Sequence, residues 1–222
     1  MLTLHYTPDT AALPVHIMLE ALGLAYKLRL IDREGGELAS PSYRALHPLG
    51  KVPLLETPDG PLFETAAILL WLADRHAPGT YAPAPDDIGR GDFLKWLFFT
   101  SSNLHPAVME LFYPERIAGA AAVDALLPLA SARAKAALKA LEQAARAEPA
   151  LFPQDRLALL PLYAGTLMRW LGQLPPDHPA RLQIQDYPAL RASLAASESS
   201  AAALTVAKEQ DLGATLFTHP DC

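Results

Sequence analysis

Residues 48–76 read PLGKVPLLETPDGPLFETAAILLWLADRH, and this stretch decides the fold. Val52–Glu56 and Leu62–Phe63 are short apolar runs separated by Thr57-Pro58-Asp59-Gly60-Pro61. Proline presets φ for a turn and glycine admits positive φ, so the pentapeptide predicts a hairpin. Ala66 to Ala73 is apolar and helical in spacing, and it stops near His76-Ala77-Pro78-Gly79. A hairpin therefore leads directly into a helix.

Toward the N-terminus, Leu2–Tyr6 alternates apolar and polar residues and reads as a strand. Thr7-Pro8-Asp9-Thr10 is a turn cluster. Leu13, Ile17, Leu19, Ala21 and Leu22 then predict a helix stopped by Gly23. Tyr26–Ile31 reads as a second strand, with Leu28 and Leu30 on one side. Gly35-Gly36 opens a loop, and Pro41–Leu46 predicts a short helix. Strands joined through a helix pair in parallel, and a hairpin adds an antiparallel edge.

Toward the C-terminus, residues 77–86 (APGTYAPAPD) carry three prolines and a glycine and read as an extended linker. Beyond it no segment reads as a strand. Phe93, Leu94, Trp96, Leu97 and Phe99 begin an apolar helix that reaches toward Phe112. Leu127, Ala130, Ala134, Ala137/Leu138, Leu141 and Ala145 step at helical spacing, with Pro128 expected in the first turn or at the helix start. Leu162 to Leu171 predicts another helix, and Pro188 to Ala196 and Ser199 to Glu209 predict two short ones.

Composition narrows the function classes. The net charge of -6 over 222 residues disfavours nucleic-acid and acidic-membrane partners. No apolar run approaches the ~18 residues that a membrane span needs. MLTLHYTPDT lacks the basic-then-apolar pattern of a signal peptide. The single cysteine, Cys222, cannot form an intrachain disulfide, in keeping with a cytoplasmic location. The seven histidines show no ligand spacing and no cysteine pair exists, so neither a metal site nor thioredoxin-type exchange is expected.

Four segments together resemble the glutathione transferase family, its bacterial beta-like members in particular. They are PLGKVPLLE (48–56), DGPLFETAAILLWLADRH (59–76), HYTPDTAALPVHIMLEALG (5–23) and DYPALRASLAASESSAAALTVAKEQDL (186–212). The resemblance implies an α/β thioredoxin-like N-terminal domain over 1–77, a linker over 78–86 and an all-α C-terminal domain over 87–222. It also implies a homodimer.

On the same grounds, glutathione is expected as co-substrate with no further cofactor, held by Lys51, Val52, Pro53, Glu64, Thr65 and His105. The resemblance implies a cis bond between Val52 and Pro53, which turns the Val52 main chain toward a cleft where an extended peptide pairs with it. Thr65 and the free N–H groups of the following helix suit the γ-glutamyl carboxylate, and Glu64 suits its ammonium. Equally, Thr65 is a simple N-cap and Glu64 favours the helix dipole. For the thiol, Thr10 and Tyr6 are the candidate catalytic hydroxyls; Thr10 also reads as a helix cap and Tyr6 as a packed aromatic.

The expected activity is attack of the glutathione thiolate on a small hydrophobic electrophile, in the manner of detoxification. Phe98, Phe99, Leu104, Val108, Met109 and Phe112 are candidates to line the electrophile's pocket. The alternative is a non-catalytic glutathione-binding or scaffold protein of the same fold. Departures from the family pattern favour that alternative: Ala11 stands where bacterial members carry cysteine, and His47 and Phe98 stand where an asparagine is usual. Ala158 and Pro161, in place of a Ser-x-x-Asp capping box, bear on the start and stability of that helix and not on the chemistry.

Overall fold

The computed structural model describes residues 1–213 and 215–220. Cys222 lies outside the described residues. The chain opens with β1 (Leu2–Tyr6), α1 (Leu13–Ala21), β2 (Tyr26–Leu30) and α2 (Pro41–Leu46), then β3 (Leu54–Thr57), β4 (Gly60–Phe63) and α3 (Thr65–His76). The sheet order is β2-β1-β3-β4. The crossover through α1 makes β1 and β2 parallel, with Leu4 opposite Leu28. The Pro-Asp-Gly turn makes β3 and β4 antiparallel, with Leu55 opposite Leu62.

Side chains alternate across a strand, so each face of this sheet needs its own cover. Leu55 joins Leu2, Leu4, Leu13, Ile17 and Ile68 in the layer against α1 and α3. Its neighbour Leu54 joins Ile31 and Tyr43 on the α2 side. β2 is the least buried strand, and Leu28 and Leu30 are 38% and 62% exposed at the sheet's edge. Gly23 has φ +61 and follows Leu22, the C-cap of α1, as its reading as a stop requires.

The remainder is helical: α4 (Arg90–Phe99), α5 (His105–Phe112), α6 (Pro114–Ala118), α7 (Val123–Ala147), α8 (Leu159–Gly172), α9 (Pro188–Glu198) and α10 (Ala201–Glu209). A π-helical turn, Thr100–Leu104, joins α4 to α5, so the predicted aromatic helix runs on to Phe112 as one interrupted rod. α7 corrects one expectation. It starts a turn before Pro128, which therefore lies inside the helix and gives up one backbone hydrogen bond.

α8 is buried along nearly its whole length. Its N-cap is Ala158, which makes no side-chain cap, and Pro161 sits in the first turn where no N–H partner is required. A Cβ on Gly165 would meet Leu194 of α9 at 2.6 Å, so the absent side chain lets these two helices close up. The side chain of Glu142 on α7 accepts the backbone N–H groups of Ala189 and Leu190 at 3.1 and 3.0 Å, capping α9 from a neighbouring helix. This is an α/β thioredoxin-like domain followed by an all-α domain.

Candidate active site

A cleft of about 660 Å³ lies where the hairpin and the first loop face α5, α6 and the end of α8. On the sheet side it is lined by Thr10, Lys51, Val52, Pro53, Glu64 and Thr65. The segment before β3 is held by three local devices. Gly50 has φ +57, and any Cβ there would collide with the Leu38 carbonyl oxygen at 2.1 Å. The Tyr43 hydroxyl donates to the Lys51 carbonyl at 3.0 Å. The Val52–Pro53 bond is cis, as the motif implies. Val52 lies just ahead of the ladder, which begins with Leu54 opposite Phe63.

The helix start differs from its sequence reading. Glu64, not Thr65, occupies the N-cap of α3, with φ +73 and no side-chain cap bond. Thr65 is the first helical residue, is buried, and its hydroxyl donates to the Ala11 carbonyl at 3.2 Å. Residue 64 is an exposed glutamate in a left-handed conformation that L side chains rarely adopt. That backbone turn sets it at the cleft wall.

The two candidate thiol partners are placed differently. Thr10 lines the cleft, and its hydroxyl donates to the Thr7 carbonyl at 2.7 Å while accepting the Ala12 N–H at 3.4 Å. Tyr6 packs against His16, with ring centroids 6.1 Å apart, and is not among the lining residues.

From the helical side come His105, Met109, Phe112, Tyr113, Ile117 and Trp170. Only Met109 and Phe112 of the six predicted pocket residues are among them. Leu104 and Val108 belong to the core, and Phe98 is 57% exposed elsewhere on α4. Helical spacing cannot say which face of an all-apolar helix meets a cleft.

His105 Nδ1 lies 2.7 Å from the Tyr163 hydroxyl. Burial, aided by the nearby Lys51 charge, lowers the His105 pKa to about 4, so the ring is neutral at pH 7. Burial raises that of Tyr163, so the phenol keeps its proton and donates it to Nδ1. The tautomer assigned from this bond carries its proton on Nε2. His47, also in the lining, accepts the Leu49 N–H at 3.2 Å and packs on Phe63. Burial lowers its pKa as well, against the opposing charge of Glu64.

Sequence reasoning passed over Asp9. Its backbone has φ +50, and its carboxylate accepts from Arg169 Nε and Nη2 at 2.9 and 3.0 Å and from Trp170 Nε1 at 3.1 Å. The Asp9 N–H donates to Gln210 Oε1 at 3.2 Å, and Gln210 Nε2 donates to His16 Nδ1 at 2.9 Å. Asp9 within Thr7-Pro8-Asp9-Thr10 was legible as a turn residue, but its partners lie 160 residues away.

Comparison with known proteins agrees with this architecture. Residues 11–75 match the family model described as glutathione S-transferase, N-terminal domain. The match spans the hairpin, Glu64 and Thr65 and begins just after Thr10. Glutathione S-transferase 3 of Schizosaccharomyces pombe is 30% identical over 49% of this chain and 44% of its own length. Glutathione S-transferase GstA of Escherichia coli O157:H7 is 29% identical over 75% of this chain and 81% of its own. The chain thus spans about half the length of relatives such as the first. A sphingomonad glutathione S-transferase solved in complex with glutathione superposes with a TM-score of 0.75 at 25% identity, covering 95% of this chain and 100% of that one.

Proposed function

We propose that this chain, which belongs to the glutathione transferase family, binds glutathione against Val52, Glu64 and Thr65 and presents its thiolate to a small hydrophobic electrophile held beside Phe112 and Trp170. The observation that carries the reading is the single cleft in which the main chain at Val52, the α3 N-terminus and an apolar helical wall meet. Lys51 suits the glycine carboxylate, the α3 N–H groups suit the γ-glutamyl carboxylate, and Glu64 suits the ammonium. The sphingomonad neighbour, described as a glutathione complex, supports the same ligand.

In the reaction so proposed, the thiol proton passes to solvent and the thiolate sulfur attacks an electrophilic carbon. On an organic halide the C–S bond forms as the carbon–halogen bond breaks and halide leaves. Thr10 is the proposed donor to the sulfur, and His105, which lines the same cleft, is a second candidate through Nε2–H. The proposal includes a domain division at 78–86, a homodimer and a cytoplasmic location.

A second reading is favoured by one observation: the Thr10 hydroxyl already donates to Thr7, leaving no proton for a thiolate in this arrangement. On that reading the protein binds glutathione without turning it over. Retention on immobilised glutathione together with conjugation of an aromatic halide supports the enzyme. Retention without conjugation supports the binding protein, and absence of both rejects the glutathione site.

A further inference from the structure

Charge in the cleft is unevenly answered. Asp9 is paired with Arg169, and Glu110 with Arg133. Glu64 is the residue assigned above to an ammonium. Two arginines in the lining, Arg33 and Arg116, instead converge on one uncharged ring, that of Tyr113. Arg33 Nη2 lies 3.5 Å from the Tyr113 hydroxyl, and the Arg116 guanidinium sits 4.8 Å above the ring centroid. Among the described residues neither guanidinium makes an ion pair, whereas Arg90 and Arg169 each meet an aspartate through two nitrogens.

A guanidinium stacked on an aromatic face keeps its in-plane N–H donors available, and their fork matches a carboxylate. The flanking surfaces, Phe112, Ile117 and Trp170, suit a flat apolar body. Resting on the glutathione reading above, we propose that the electrophile is an anionic aromatic compound, its carboxylate held between Arg33 and Arg116 and its ring against Phe112 and Trp170. A benzylic halide bearing a para-carboxylate has this chemistry: sulfur attacks the benzylic carbon, the C–S bond forms, and halide departs. Neutral substrates of the same shape leave both guanidiniums unanswered.

Calorimetry with two glutathione conjugates, S-benzylglutathione and S-(4-carboxybenzyl)glutathione, tests this without requiring turnover. The parent binds the carboxylated conjugate about tenfold more tightly, in keeping with a charge-assisted pair at a solvent-open site. Arg116→Ala and Arg33→Ala each reduce that preference while leaving S-benzylglutathione affinity unchanged, and Arg116→Lys restores part of it. An equal loss for both conjugates in either variant means that the guanidinium holds a carboxylate of glutathione itself, and overturns the proposal. If the parent binds both conjugates alike, this proposal falls and the glutathione reading stands. If it binds neither, the glutathione reading fails and takes the proposal with it.

Discussion

Asp9 and Arg169, 160 positions apart, form a two-point ion pair at 2.9 and 3.0 Å that fastens the first loop of the α/β domain to the central helix of the all-α domain. Arg169 is 2% exposed and also donates to the Leu216 carbonyl at 3.0 Å. Removing one partner of such a pair strands a buried charge. Asp9→Ala is therefore expected to lower stability by about 3–5 kcal/mol. Asp9→Asn keeps a side chain tolerant of positive φ and one acceptor oxygen, and is expected to cost about 1–3 kcal/mol. Urea unfolding midpoints at constant slope decide it, and a loss under about 1 kcal/mol for Asp9→Ala contradicts the tether.

Glu64 separates fold from binding. Its φ of +73 suits glycine better than glutamate. Relieving such a conformation is expected to stabilise the fold by about 1 kcal/mol. Glu64→Gly should thus raise the unfolding midpoint yet weaken glutathione by about tenfold or more, the worth of one charge-assisted bond. Unchanged affinity by calorimetry rejects the ammonium contact.

The thiolate question is decided by magnitudes. A free thiol has a pKa of about 8.5, and lowering it to about 6.5 requires about 2.7 kcal/mol of preference for the anion. The α1 N-terminus supplies about 0.3–1 kcal/mol, and one hydrogen bond to a charged group about 1.5–3 kcal/mol. A side-chain donor is needed, and Thr10 must release the Thr7 carbonyl to serve as one. Thr10→Ala is expected to raise the bound thiol's pKa by about one unit, with Thr10→Ser near the parent. Tyr6→Phe should leave it unmoved, because Tyr6 is outside the lining. Ultraviolet titration of the bound thiolate reads all three, and an upward shift in Tyr6→Phe alone reverses the assignment.

His16 makes stability pH-dependent. It is fully buried between α1, β2 and α10, where Nδ1 accepts from Gln210 and Nε2 meets the Tyr26 hydroxyl at 2.9 Å and Glu209 at 3.2 Å. Tyr26 in turn donates to Glu20. Burial lowers the His16 pKa from 6.5 to about 4, against the opposing charge of Glu20. Above pH 6.5 the ring is neutral folded or unfolded, and its contribution is intact. Between about 6.5 and about 4 only the unfolded chain takes the proton, so stability falls by on the order of 3 kcal/mol. His16→Gln should flatten that part of the profile while lowering the plateau. A parent profile flat from pH 7 to 4 contradicts it.

The proposed homodimer is open to light scattering. Leu49 on the loop before β3 is 65% exposed and Phe98 on α4 is 57% exposed, apolar surface on both domains. A mass near twice 23.9 kDa at micromolar concentration is expected, and a mass near 23.9 kDa contradicts the proposal.

The parts of the fold legible in the sequence were those written in local chemistry. The Pro-Asp-Gly turn, the Gly23 stop and the alternation of Leu2 and Leu4 each act within a few residues. That Val52, Glu64 and Thr65 would line one cleft was legible from the motif on which the family resemblance rests. Asp9, Arg33, Tyr113 and Arg116 were not, because each acquires its role from a partner brought near by tertiary packing. The helix wall failed for another reason: Leu104, Val108, Met109 and Phe112 are alike in hydropathy, and only packing separates core from lining. Pro128 was misplaced because position within a helix, rather than residue type, sets the cost of a missing N–H.

The segment that composition marks as a spacer is bonded at both ends of Tyr81. Its hydroxyl donates to the Ala21 carbonyl at 2.8 Å, and its own carbonyl accepts the first N–H of α8, from Leu159, at 2.9 Å. Cutting the gene at this point would strip one half of a helix-end partner and the other of a helix-start partner. The segment therefore ties the two halves together as well as separating them. The two halves are expected to melt together in a single calorimetric transition, and two separated transitions contradict that coupling.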